Sequence, residues 1–198
     1  LVHGIIELIN FAHGEIFMIG AFTSFAFYGV LGLTTDTSGA ALGLGLLVTL
    51  VVAMLVSGSL NVMIERVGYR PLRGAPKLAP LITAVGFSFI LQNVGILWYG
   101  ASQRAVPDLI DSQKHLFSIS GVSVSHGDLL AIVITIPLVL LLTSFVGQSR
   151  LGKAMRATAQ DPEAAKLMGI NVDTTISLTF LIGGLLAGAG GLIYALYQ

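Results

Sequence analysis

Residues 40–63, AALGLGLLVTLVVAMLVSGSLNVM, run for 24 positions without a charged side chain. A hydrocarbon core about 30 Å thick takes roughly 20 apolar residues to cross as a helix, so this run can span a bilayer. Working outward, about 79–99, 129–147 and 174–197 read the same way, and a further span, about 16–33, follows a polar start. The expected fold is an all-α polytopic membrane protein with about five transmembrane helices forming a single transmembrane domain over 1–198. Composition agrees: 55% of the 198 residues are hydrophobic and 10% charged, against about a quarter charged in soluble domains. A net charge of zero argues against a nucleic-acid partner. With no cysteine, disulfides and thiolate metal sites are excluded. The start, Leu1-Val2-His3, has no initiator Met or basic n-region, and the end, Tyr197-Gln198, lies in an apolar run. The chain therefore reads as a fragment lacking both ends.

Charge orders the loops. Arg66, Arg70, Arg73 and Lys77 fall in one connection, and Arg150, Lys153, Arg156 and Lys166 in the segment 148–173. The loop 100–127 carries only Arg104 and Lys114 against Asp108 and Asp111, and the turn 34–39 has no basic residue. By the positive-inside rule the two basic segments are cytoplasmic and the other two loops external. That alternation is what an unbroken series of spans requires. Within the external loop, Phe117-Ser118-Ile119-Ser120-Gly121-Val122-Ser123-Val124-Ser125 alternates apolar and polar about a glycine, predicting a small external β-hairpin. Asp128 is then the expected N-cap of the next span. Gly184 and Gly188, overlapped by Ala187 and Gly191, predict a face that packs closely on another helix.

Some motifs fail on inspection. Residues 147–154 fit GxxxxGK but place Ala154 where a phosphate loop needs a hydroxyl for magnesium, and they follow a membrane helix rather than a strand. Ser88, in Gly86-Phe87-Ser88, has no histidine on another span at its depth, so it reads as a packing or helix-bonding hydroxyl. The four histidines lack HExxH spacing. No catalytic or metal-binding residue is expected.

Two signals remain. In Asn10-Phe11-Ala12-His13-Gly14-Glu15, polar groups crowd the start of an apolar span, and Asn10 and Gly14 disfavour a regular helix. Asn10, His13, Gly14 and Glu15 then either line a pathway, the usual setting of ionisable groups at membrane depth, or cap a helix at the interface. His13 and Glu15 are two apart and do not face each other on a regular helix. In Asp161-Pro162-Glu163-Ala164-Ala165-Lys166-Leu167-Met168-Gly169, Asp161 is an N-cap, Pro162 suits the first helical position, and Glu163 complements the dipole. Gly169 is a natural stop. A two-turn helix over 162–168 is marginal alone in water, so Ala164, Ala165, Leu167 and Met168 must pack on the membrane-domain floor or on a partner.

These motifs, together with Ile64-Glu65-Arg66-Val67 and Tyr69-Arg70-Pro71-Leu72-Arg73, resemble the membrane permeases of branched-chain amino acid ABC importers, of the LivH type, along essentially the whole chain. Residues 163–169 are similar to the EAA-type loop of ABC importers. The resemblance implies a bacterial inner-membrane permease without an ATPase site or cofactor of its own, ATP being bound by two cytoplasmic ATPase subunits. A second permease subunit and a periplasmic amino-acid-binding protein complete the complex. It implies that 162–168 is the coupling helix, with Arg156, Asp161, Glu163, Ala164, Ala165, Leu167 and Gly169 at the ATPase contact, Arg156 and Lys153 lending charge. Permeases of the same architecture for urea or short amides, and a proton-coupled secondary transporter using His13 and Glu15, are the alternative readings. A bulky charged residue at Gly169 or Ala165 is expected to uncouple ATP hydrolysis from uptake while leaving insertion intact. Normal coupled transport in such a variant would refute the assignment.

Overall fold

The computed structural model describes residues 11–76, 78–102, 106–119 and 122–197. The elements in chain order are α1 (His13–Val30), α2 (Gly39–Ile64), α3 (Leu78–Tyr99), β1 (His115–Ile119), β2 (Val122–Ser125), α4 (His126–Gln148), α5 (Arg150–Gln160), α6 (Pro162–Leu167) and α7 (Val172–Tyr197). α2 continues through a π-helical turn, Glu65–Tyr69, and a 3₁₀ turn, Arg70–Leu72. Among the described residues, four helices are long and apolar enough to cross a membrane: Gly39–Leu72, Leu78–Tyr99, His126–Gln148 and Val172–Tyr197. The fifth expected span is α1, whose 18 residues begin with His13 and Glu15 and are less apolar.

α7 is the axis of the bundle, with α2 and α1 against it. In a membrane, helices do not associate by expelling water; close van der Waals packing holds them, and small residues permit it. The predicted glycine face does this. A Cβ added at Gly184 would sit 2.6 Å from Ser57 O and 2.8 Å from Gly58 Cα on α2. One added at Gly191 would meet Ala21 N of α1 at 2.5 Å, and one at Gly20 would meet Gly188 Cα at 2.9 Å. Buried polar side chains cross the same contacts: Asn61 Nδ2 donates to Phe180 O at 2.6 Å, and Ser57 Oγ to Ile16 O at 3.2 Å.

One apolar cluster, including Ile16, Ile64, Met155, Ala165, Ile176 and Phe180, fills the end of the bundle that holds the basic segments. A second, with Tyr28, Leu33, Leu109, Leu192, Ala195 and Leu196, fills the other end. α3 packs on α1, whereas none of the apolar window of α4 is buried within this chain.

The hairpin forms as expected, antiparallel with Phe117 opposite Val124 and Ile119 opposite Val122; its turn, 120–121, lies outside the described residues. The cap of α4 differs from expectation. Ser125, not Asp128, is the N-cap, because β2 runs directly into the helix and starts it three residues early. Asp128 takes the third position of a capping box, accepting from Ser125 N–H at 2.9 Å while its own N–H donates to Ser125 Oγ at 3.3 Å. Asp128 also accepts from the Tyr197 hydroxyl, tying α4 to the end of α7.

Gly184→Val forces α2 and α7 apart, and overpacking of this kind costs at least about 1–3 kcal/mol. The expected outcome is a lower thermal midpoint in detergent and loss of a monodisperse peak on size exclusion.

Candidate functional site

Two places concentrate polar chemistry among the described residues, at the basic end and at the seam between α1 and α3. The basic end is built from both basic connections. Arg70 Nη2 lies 2.8 Å from Asp173 Oδ2, Arg73 also pairs with Asp173, and Arg73 reaches Glu65. Glu65 is fully buried and accepts from Ser177 Oγ at 2.6 Å through its second oxygen. The π-helical turn starts at Glu65, and such turns recur where a helix carries function. A cavity of about 260 Å³ lined by Arg66, Arg70, Asn171 and Thr174 opens beside this network.

α5 was not foreseen within 148–173. Gly152, Met155 and Thr158 are buried at intervals of three, which places one face of α5 on the bundle. Its charged residues suggested a loop because an 11-residue helix owes its stability to packing. Residues 147–154 thus end one helix and begin another, with Gly152 N–H on Ser149 Oγ at 2.8 Å. The Arg156 guanidinium turns back onto Val146 O and Gly147 O, the open carbonyls ending α4.

α6 has the predicted ends. Asp161 Oδ1 accepts from Glu163 N–H at 2.9 Å and Ala164 N–H at 3.0 Å. Gly169 has φ +80°, a left-handed conformation that favours glycine. Lys166 pairs with Glu163 at 2.9 Å. Ala165 is 3% exposed and faces the bundle, while Leu167 and Met168 are 89% and 83% exposed at the tip. Six residues are thus held in one orientation, apolar end outward.

The second place surrounds Glu15. Ser88 Oγ donates to Glu15 Oε1 at 2.7 Å, and Gln92 Nε2 to the same oxygen at 2.6 Å. Ser88 lies midway along α3, about 15 Å from either end at 1.5 Å per residue. Ile16 meets Ser57 in the half of α2 nearer the basic end. These contacts set Glu15, in the first turn of α1, against the middle of α3. His13 and Gly14 precede it on α1, both exposed; Asn10 lies outside the described residues. Ser88 therefore bonds another helix through its side chain, and the neighbour is a carboxylate. A carboxylate alone is a poor base for a serine, whose usual activator is an imidazole. The sequence signal that could have found this group is the i, i+4 pair Ser88 and Gln92 on an otherwise apolar span. Toward the other end of the seam, Met18 and Phe22 close on Gly95. Beyond them a cavity of about 400 Å³ is lined by Phe22, Phe25, Tyr99 and Tyr194.

Residues 1–198 match the family described as the permease component of branched-chain amino acid transport systems. The chain is 39% identical to the high-affinity branched-chain amino acid transport system permease protein BraD of Pseudomonas aeruginosa, over 98% of this chain and 62% of that protein. The same identity and coverage hold for the corresponding protein LivH of Escherichia coli. A probable branched-chain amino acid transport permease protein LivH of Methanocaldococcus jannaschii is 27% identical over 93% of this chain and 56% of its own length. The chain thus spans under two thirds of the curated relatives it matches. No solved structure matches it.

Arg73→Ala leaves Glu65 buried without its cation, and removing one partner of a buried pair costs about 3–5 kcal/mol. Arg70→Ala removes a half-exposed pair worth at most about 1 kcal/mol. Thermal unfolding in detergent should therefore fall well below wild type for the first and stay near it for the second.

Proposed function

The chain belongs to the family of permease components of branched-chain amino acid transport systems, and from that premise we propose that it is the membrane-spanning permease subunit of an ATP-binding cassette importer. In this reading it moves branched-chain amino acids inward across the bacterial inner membrane by alternating access. It does so paired with a second permease subunit, supplied by a periplasmic binding protein and driven by two ATPase subunits on separate chains.

The observation that carries the reading is the tip of α6. Large apolar side chains that project singly into water have no use within this chain, and Leu167 and Met168 do so from a helix whose two ends are both pinned. They suit an apolar pocket on an ATPase subunit. The positive-inside rule puts this end in the cytoplasm, where such subunits lie. Asp161, Glu163, Ala164, Ala165 and Gly169 set the position and angle of the tip. Arg156 acts in this scheme by holding α5 to the end of α4, and Lys153 remains exposed toward the partner.

Force on the tip has two routes inward. Ala165 and Ile170 pass it to the start of α7, which is tied through Asp173 to Arg70 and Arg73 and so to Glu65 of α2. α5 and Arg156 pass it to α4. The helix that carries Gly184 and Gly188 is therefore moved together with its closest partner, and the change reaches α1 through Gly20 and Ile16 as a unit. Asn10, His13, Gly14 and Glu15 are the part of the pathway proposed on this chain.

Leu167→Asp with Met168→Asp disturbs no buried contact, so membrane insertion and thermal stability should be retained. Burying two such side chains contributes about 1.5–3 kcal/mol each, and every 1.4 kcal/mol is tenfold in affinity. ATPase subunits are expected to copurify with the double variant at least tenfold less, with uptake lost in step. Unchanged copurification and uptake would overturn the docking assignment.

A further inference from the structure

Resting on the importer reading above, we infer that Glu15 and Gln92 form the station in the pathway that holds the ammonium group of the amino acid in transit. Glu15 is a carboxylate in the first turn of α1, two residues after His13, and it lies against the middle of α3, an apolar span. Such a group against lipid is costly, and it ordinarily faces a polar interior or a pathway. Compensation by the protein is incomplete in a specific way. Ser88 and Gln92 both donate to Oε1, leaving Oε2 without a hydrogen-bond partner among the described residues. Gln92 uses its amide nitrogen as donor and leaves its own carbonyl oxygen Oε1 without a partner among the described residues. Glu15 is half-exposed, Gln92 exposed, and a Cβ at Gly14 would meet nothing within 4 Å.

Two acceptor oxygens of contacting residues, one of them on a carboxylate, are thus left without a donor among the described residues at the α1–α3 seam. The fitting ligand is a compact cation carrying several N–H donors. A primary ammonium has three in a small volume. A hard metal cation asks for six or more oxygens, and among the described residues there is no group of three acidic or histidine side chains. Urea and short amides bring only neutral N–H donors, for which a membrane-depth carboxylate offers less. The apolar remainder of a branched-chain amino acid finds Met18 and Phe22 in the next turns of α1. The aromatic cavity around Phe25 and Tyr99 lies further out on the same seam.

The test uses the full-length permease pair with its ATPase subunits in proteoliposomes, supplied with the binding protein, and reads uptake of labelled L-leucine alongside ATP hydrolysis. Glu15→Gln keeps an acceptor oxygen for Ser88 and Gln92 while removing the charge and replacing the second acceptor oxygen with an N–H donor. Uptake is expected to fall at least tenfold, with binding-protein-stimulated hydrolysis kept within about twofold and part of the uptake restored by Glu15→Asp. A purely structural Glu15 predicts wild-type uptake in Glu15→Gln and failure only in Glu15→Ala; that result overturns the inference. Gln92→Lys is the second arm, since a tethered ammonium beside Glu15 should occupy the station and abolish uptake in an assembled complex. Normal uptake in Gln92→Lys likewise overturns it. A wild-type complex that hydrolyses ATP but takes up no leucine would instead remove the importer reading itself.

Discussion

The close approach of α2 and α7 at Gly184 and Gly188 is the contact on which the remaining geometry depends. A bilayer supplies no hydrophobic drive for one apolar helix to leave lipid for another, so contact must come from shape. Two backbones without intervening side chains give it, and they bring Asn61 within reach of the Phe180 carbonyl and Ser57 within reach of Ile16. α1 is seated by the same small residues, through Gly20 and Gly191. Only because α1 is fixed at this height does Glu15 meet the middle of α3.

Two carboxylates of the bundle, Glu65 and Glu15, are treated oppositely. Glu65 has donors on both oxygens, from Arg73 and Ser177, and sits with no exposure at the junction of α2 and α7. Removing any member of that set leaves a charge in a poor medium, which makes it a rigid joint. Glu15 has both donors on one oxygen and an open face. A complete set locks two helices together, while an incomplete set leaves capacity for something that comes and goes. The first suits the transmission of motion from α6, and the second suits a pathway.

Much of the architecture was legible because membrane helices are written in composition. Long uncharged runs, alternating basic connections and a glycine face need no tertiary knowledge to be read. α6 was legible in nearly every detail, since Asp161, Pro162 and Gly169 act on backbone within a few residues of themselves. Where local signals compete, the reading slipped: Asp128 is a sound N-cap in isolation, but β2 ends at Ser125 and takes that role. α5 was missed because its helix is sustained by Met155 and Thr158 against the bundle rather than by its own propensity.

By itself, then, the amino-acid sequence determined a polytopic helical membrane protein of the branched-chain amino acid permease family, the alternation of its connections, and a short, pinned helix with an apolar tip. Tertiary structure alone decided that Asp173 closes on Arg70 and Arg73, that Glu65 is buried beneath them, and that Glu15 meets Ser88 and Gln92. The reason is separation: these partners are some 70 to 110 residues apart. Local rules of capping and periodicity reach only a turn or two, and only the packing height of α1 and α7 brings such distant groups together.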